Sequence, residues 1–578
     1  MTQVQGFSDK VGFIWSVADL LRGDYKAHEY GQVILPLTVL RRLDAVLQPT
    51  KPAVIARAAA LAGKIENPEQ ILLHTAGQPF CNTSPFDFAR LLDDAPNIAA
   101  NLRSYIGGFS SGAVEVLREY RFDDTIARLD SAGLLFHVLS RFADIDLHPD
   151  RVPNEAMGYV FEELLRKFSE MSNETAGEHF TPREVIRLMV NILFSEDDDA
   201  LRGSAPIRTM FDCACGTGGM LTGGQEHLAS LNPKARLEVF GQELNPETWA
   251  IARSDMMIKG QDPSRIRLGN SLSDDKFTGQ TFDYMIANPP FGVDWKRIQR
   301  QIADEHQQLG DRGRFGAGVP RVSDGSLLFL QHLMSKMKPT DQGGSRVAIV
   351  FSGSPLFSGG AGSGESEIRR WIVENDMLEA VVALPDQLFY NTGINTYFWV
   401  VTNRKADHRR GKIVLLDARG EFAKMRKSLG DKRKYIPDNK IDEITRLYHD
   451  ALDEVQTDER VKVFENTAFG YQRITVERPK TDENGQPVRN RKGLVADPDL
   501  RDNENVPLAE DIDDYMKREV LPHVPDAWAD TTKIKTGYDI PFTRHFYRYT
   551  PPRPVAAIDT DIAAFEAEIQ QVLGEVAK

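Results

Sequence analysis

The chain lacks most features that would place it outside a reducing compartment or in a bilayer. Of its 578 residues only Cys81, Cys213 and Cys215 are cysteine, too few and too unevenly spaced for a disulfide framework. No apolar run approaches the roughly 18 residues that span a bilayer, and nothing at the N-terminus reads as a signal peptide. The expectation is a cytoplasmic protein with no membrane partner. Positive charge is also short: 70 Lys and Arg stand against 84 Asp and Glu, a net charge of −14. A protein that grips nucleic acid by itself usually has the opposite balance, so any such grip would need a partner. There is no Gly-x4-Gly-Lys-Ser/Thr sequence, which excludes a phosphate-loop motor. No internal repeat is visible.

What is present is ordinary globular material, with 41% hydrophobic and 27% charged residues. The length suits about three or four domains. Over residues 13–139 apolar positions recur at helical spacing, which predicts an all-α domain over 1–150. From 152 to 403 short β-branched runs alternate with helical patterns, the signature of a mostly parallel sheet with crossover helices, so 151–405 reads as an α/β domain. Strands are expected at 209–212, 237–243, 282–287, 346–351, 378–384 and 396–402. Two stretches interrupt this rhythm, an Arg-, Gln- and Gly-rich one at 294–323 and a Gly- and Ser-rich one at 352–366, and both read as mobile loops. The region 406–578 is expected to be mixed and largely helical, with a polar loop over 480–505. It ends in Ile558, Ile562, Phe565, Ile569, Val572 and Val576, a heptad seam too short to be stable alone. The seam therefore has to dock, on its own protein or on a partner's helix.

Chemistry concentrates in a few places. Asn288-Pro289-Pro290-Phe291 follows the apolar strand at 282–287. An Asn amide oxygen and the Pro289 carbonyl can each accept a hydrogen bond from a planar amine, while Phe291 stacks on the ring that carries it. The two prolines remove N–H donors and stiffen the turn, which suits methylation of an exocyclic amino group. Upstream, Asp212-Cys213-Ala214-Cys215-Gly216-Thr217-Gly218-Gly219 is a strand exit running into a glycine turn and a helix. Its adjacent glycines differ from the Gly-x-Gly-x-x-Gly of a pyrophosphate site and favour a nucleoside without phosphates. Glu243, at the end of the next strand, is placed to accept from both ribose hydroxyls. Asn270, after a further strand, is either an adenine contact or a turn residue. Glu178-His179-Phe180-Thr181-Pro182-Arg183-Glu184 reads as a helix start with Thr181 as N-cap and Glu184 closing a capping box. Its free N–H groups would suit a carboxylate. Cys213 and Cys215 have no His cluster or second Cys pair near them in sequence and read as small residues, not metal ligands.

Residues 177–183, 212–219, Glu243 and 288–291 occur in the order seen in the gamma class of amino methyltransferases. The chain resembles the modification subunit of a type I restriction-modification system, an adenine-N6 DNA methyltransferase with a Rossmann-like domain. The likeness extends to Ile34-Leu35-Pro36-Leu37 in the helical region, to Asp324-Gly325-Ser326-Leu327-Leu328-Phe329, and to Gly537-Tyr538-Asp539-Ile540-Pro541-Phe542 near the C-terminus. It implies that Glu178, His179, Phe180, Thr181, Pro182, Arg183, Asp212, Gly216, Thr217, Gly218, Glu243 and Asn270 bind S-adenosylmethionine. Asn288, Pro289, Pro290 and Phe291 would handle an adenine flipped out of double-stranded DNA. It also implies a specificity subunit bridging two modification subunits, and a separate restriction subunit carrying the motor. Asn270 departs from the family, where Asp is frequent. A methyltransferase acting on RNA or a protein amide, and a catalytically silent structural subunit, remain as alternatives.

Overall fold

Apolar residues on almost every face of Tyr30–Leu47 make it the central helix of the N-terminal region, buried along nearly its whole length. Shorter helices from Lys51–Leu61 to Leu135–Asp144 pack around it in the computed structural model. The structure describes residues 12, 16–171, 181–197, 201, 203–204, 206–390, 392–429, 431–452, 458–491, 493–547, 549 and 554–576. Two compact units result, Met1–Ile540 and Pro541–Lys578. Arg42, fully buried in the central helix, donates to the Val152 carbonyl at 2.8 Å and to Asn154 Oδ1 at 2.6 Å, tying the helical region to the segment that follows it. Tyr120 and Ser254 share a hydroxyl hydrogen bond at 3.1 Å, and Arg253 pairs with Glu115 at 2.6 Å, so helix Pro246–Ile258 is packed against the N-terminal helices.

Among the described residues nine strands form the main sheet: β1 (Ile207–Asp212), β2 (Arg236–Glu243), β3 (Ile266–Leu268), β4 (Tyr284–Ala287), β5 (Arg346–Ser352), β6 (Leu378–Ala383), β7 (Thr396–Thr402), β8 (Lys412–Asp417) and β9 (Val461–Glu465). Their order is β9-β8-β6-β7-β5-β4-β1-β2-β3. Strands β3, β2, β1, β4 and β5 run parallel, and β7 is inserted antiparallel between β5 and β6. Every residue of β4, β6 and β7 is buried, which explains their largely apolar sequences. All six strands expected from sequence are present. β8 and β9 are additional, because the sheet continues past residue 405 into what reads as charged, irregular sequence.

The 294–323 stretch is not a loose loop. It holds helix Gln299–Leu309 and buries Trp295, Ile302 and Phe315. The 352–366 stretch contains a helical turn, Ser354–Phe357, and the start of helix Gly364–Glu374. Beyond β9, Gly470–Glu477 is the middle strand of a three-stranded antiparallel sheet with Asp502–Pro507 and Trp528–Tyr538, closed by a small core of Ile474, Val476, Val506, Met516 and Val520. Part of the expected polar loop at 480–505 is thus strand. The second unit is dominated by helix Val555–Val576. Among the described residues no helix is long and apolar enough to cross a membrane.

Candidate active site

The parallel strands β1, β2 and β4 end along one edge of the sheet, and their exits surround a cavity of about 710 Å³. β1 leaves through Asp212 into the glycine turn, where Gly216 and Gly218 adopt φ of 54° and 85°, values that side chains disfavour. Helix Gly219–Leu231 starts directly after it. The turn is stitched to β2 by the Cys215 N–H on the Gln242 carbonyl at 3.1 Å. At Gly241 a Cβ would lie 2.8 Å from the Cys215 sulfur, so the small residues here permit close backbone approach. The two cysteines are buried and their thiols pushed well up by burial, leaving them unreactive packing groups.

Glu243 caps this arrangement. One carboxylate oxygen accepts from the Gly216 N–H and the other from the Asn245 N–H, both at 2.8 Å, so the side chain is fixed at the cavity wall with lone pairs to spare. Asp212 is buried nearby and takes the Ala214 N–H at 2.9 Å. Burial, and secondarily the charge of Glu243, pushes its carboxyl up to about 8. Asn270 Oδ1 accepts from the Leu272 N–H at 2.9 Å, closing a turn on the wall, so its amide group serves the loop's own geometry as well as facing the cavity.

Asn288 stands at the end of β4. Its amide nitrogen donates to the Thr181 hydroxyl at 3.0 Å, while Oδ1 is buried and has no partner among the described residues. Thr181 does not act as the helix cap: helix Arg183–Phe194 begins after Pro182 with no side-chain cap. The capping box is absent as well, because Glu184 is paired instead with Lys432. The hydroxyl is spent orienting Asn288, a contact between two motifs 107 residues apart.

The cavity wall therefore gathers Thr181, Asp212, Gly216, Thr217, Glu243, Asn270, Asn288 and Pro290. Pro182, Arg183, Gly218 and Pro289 adjoin these residues in sequence without themselves lining it. Phe291 packs edge-on against Phe389, with ring centroids 6.3 Å apart and planes at 74°. Glu178, His179 and Phe180 lie outside the described residues. The wall also includes residues that sequence reasoning passed over: Leu244, an exposed apolar side chain next to Glu243, and Trp295, Arg297 and Ile298 from the 294–323 insertion. Leu244 was findable, since an apolar residue after an acidic strand end suits a nucleoside ring.

A glycine turn, an anchored acidic strand end and an oriented Asn with a spare acceptor, all at one edge of a sheet whose seventh strand runs antiparallel, define an amino-directed methyltransferase. The family model described as N-6 DNA Methylase matches residues 153–482, and that described as HsdM N-terminal domain matches residues 11–142. The chain belongs to the N-6 DNA methylase family. A type I restriction enzyme methylase subunit of Methanocaldococcus jannaschii is 26% identical over 77% of this chain and 78% of its own. One from Haemophilus influenzae is 27% identical over 46% of this chain and 54% of its own, so the match spans about half of that relative. The fold matches a type I restriction-modification methyltransferase subunit from Streptococcus thermophilus at a TM-score of 0.61 and 20% identity, over 80% of this chain and 96% of that one. Both relatives, and the protein of that structure, are methylase or methyltransferase subunits of type I restriction-modification systems.

Proposed function

We propose that this site binds S-adenosylmethionine and directs its methyl group to N6 of an adenine swung out of double-stranded DNA. The observation that carries the reading is Asn288: its nitrogen donates to Thr181, and its buried oxygen at the cavity wall has no partner among the described residues. A buried acceptor left unpaired costs about 1–3 kcal/mol, a cost that an incoming N–H relieves. Asn288 Oδ1 and the Pro289 carbonyl take the two amine hydrogens and so turn the nitrogen lone pair toward the donor, while Phe291, backed by Phe389, supports the base. The residues present fit the cofactor. Glu243 offers acceptors for ribose hydroxyls, exposed Leu244 an apolar face for the adenine, and the glycine turn a close backbone approach. S-adenosylmethionine, when bound, supplies an electrophilic methyl on a sulfonium. Positioning and exclusion of water are then what the protein adds.

We assign the chemistry to residues 151–405, with β8 and β9 from the following region completing its sheet. The segments 1–150 and 406–578 are assigned to assembly with a specificity subunit that reads the DNA, two copies of this chain per specificity subunit, and with a separate restriction subunit. A cytoplasmic setting accords with this reading. The test is single-molecule sequencing of DNA from a host expressing the chain with its neighbouring reading frames. N6-methyladenine in a two-part motif, lost in Asn288→Ala, is expected; unmodified DNA despite an assembled complex, or full modification by the variant, overturns the assignment.

A further inference from the structure

Three successive backbone carbonyls in the loop after β3 are held by side chains from the 294–323 insertion. Arg314 donates to the Ser271 carbonyl at 3.0 Å and to the Leu272 carbonyl at 2.9 Å, and Gln301 donates to the Ser273 carbonyl at 2.6 Å. Ser271 and Leu272 line the cavity together with Asn270. From the other side the Ser271 hydroxyl donates to the Cys213 carbonyl at 2.6 Å, so the loop is suspended between the glycine turn and the insertion.

The guanidinium is itself fixed. Glu305 accepts from it at 3.0 and 2.7 Å in a forked pair, and takes the Arg314 backbone N–H at 2.8 Å. His332 Nδ1 lies 3.2 Å from the guanidinium. Burial, and then the Arg314 charge, pushes this histidine down to about 3, so its ring is neutral and Nδ1 accepts. An Arg whose donors go to a carboxylate, a neutral imidazole and two loop carbonyls is spent on holding the loop in place.

We propose that Arg314, assisted by Gln301, is the positioning residue of the cofactor loop, preorganising Asn270 and its neighbours to receive the donor's adenine end. The proposal rests on the reading of this cavity as the S-adenosylmethionine site. Without the three anchors the loop carbonyls turn to water, and ligand binding has to order the loop again. The loss falls on cofactor affinity, while the geometry at Asn288, on a different strand, is regained at saturation.

The test uses the full chain, with S-adenosylmethionine titrated calorimetrically, and the assembled complex for methylation kinetics. Arg314→Ala is expected to weaken cofactor binding about tenfold and Gln301→Ala about threefold, the effect of one or a few net hydrogen bonds. Arg314→Lys should fall between wild type and Arg314→Ala. In each, KM for the cofactor rises while kcat at saturation stays within about twofold, a split that mere destabilisation would not produce. Wild-type cofactor affinity in Arg314→Ala, or a fall in kcat with KM unchanged, overturns the proposal. If Arg314→Ala does not fold, Gln301→Ala decides, since its side chain is exposed; an unchanged KM there is fatal. Glu243→Ala separates the two levels: if it too binds normally, the reading of the cavity fails, and with it the role of Arg314.

Discussion

Asp212 sits where an ionised carboxylate is hard to keep. It is 1% exposed, next to Glu243, and its one described hydrogen bond, from the Ala214 N–H, only partly offsets burial. Burial pushes its carboxyl up to about 8 in the folded chain, against about 4 for a free aspartate, so folding takes up a proton between those two values. A raised carboxyl contributes its full stability only below the unfolded value, and loses it as pH rises toward 8. Asp212→Asn keeps the shape and the acceptor without that dependence. The substitution is expected to stabilise the chain by an amount that grows between about pH 4 and pH 8, reaching a few kcal/mol, and is flat above. Thermal melts of both proteins across this range check it, and a gain independent of pH would show that the carboxyl is already ionised. At this scale the sequence was partly legible. Asn288, Glu243 and Asp212 announced themselves by their positions after apolar strands. The partner of Asn288 did not, because Thr181-Pro182-Arg183-Glu184 satisfies a purely local rule while its hydroxyl and carboxylate are claimed by residues far along the chain.

Besides the Asn288–Thr181 bond, Lys432 ties the elements assigned to the target to those assigned to the cofactor. Lys432, in the hairpin formed by Ala423–Leu429 and Lys432–Tyr435, is 3% exposed and pairs with Glu184 in the first turn of helix Arg183–Phe194. It also donates to the Leu388 carbonyl at 2.9 Å and lies over the Tyr390 ring at 5.6 Å. Between those two residues is Phe389, the ring that backs Phe291. Desolvation lowers the lysine's pKa while Glu184 opposes it, so the pair stands or falls together. Lys432→Met should cost about 3–5 kcal/mol by leaving Glu184 largely buried without its partner, and adding Glu184→Gln should recover part of the loss. Urea unfolding of the two variants measures this, and a single-variant loss below about 1 kcal/mol would mean that water replaces the lysine freely. Elements read well from sequence wherever burial on both faces left a largely apolar run, as in β4 through β7. They read poorly where charge surrounds a short strand, as at β9, or where anchors are widely spaced. Trp295, Ile302 and Phe315 nail down the 294–323 insertion, yet no period links them.

For the molecule as a whole, the order of motifs along the chain pointed to the family, whereas the role of the second unit rests on the proposed assembly with other chains. Unit Pro541–Lys578 is built on a helix whose Ile558, Ile562, Phe565 and Ile569 are between 41% and 64% exposed. Four large apolar side chains at heptad spacing, open to water on one helix, form a stripe that a soluble assembly would cover. With a net charge of −14, the proposed reading assigns the grip on the duplex to a partner. Covering the stripe and acquiring that grip are one event if the helix docks on the proposed specificity subunit. Ending the chain at residue 553 should therefore leave the melting temperature of the first unit and its S-adenosylmethionine affinity unchanged, while abolishing co-purification with the specificity subunit and all DNA methylation. Substituting Ile562 and Phe565 by Asp should reproduce the loss without shortening the chain, because two charges in a heptad seam are not compensated by any partner helix. Size-exclusion chromatography of the co-expressed subunits gives the answer, and an intact complex from both variants would move the docking surface elsewhere on the chain.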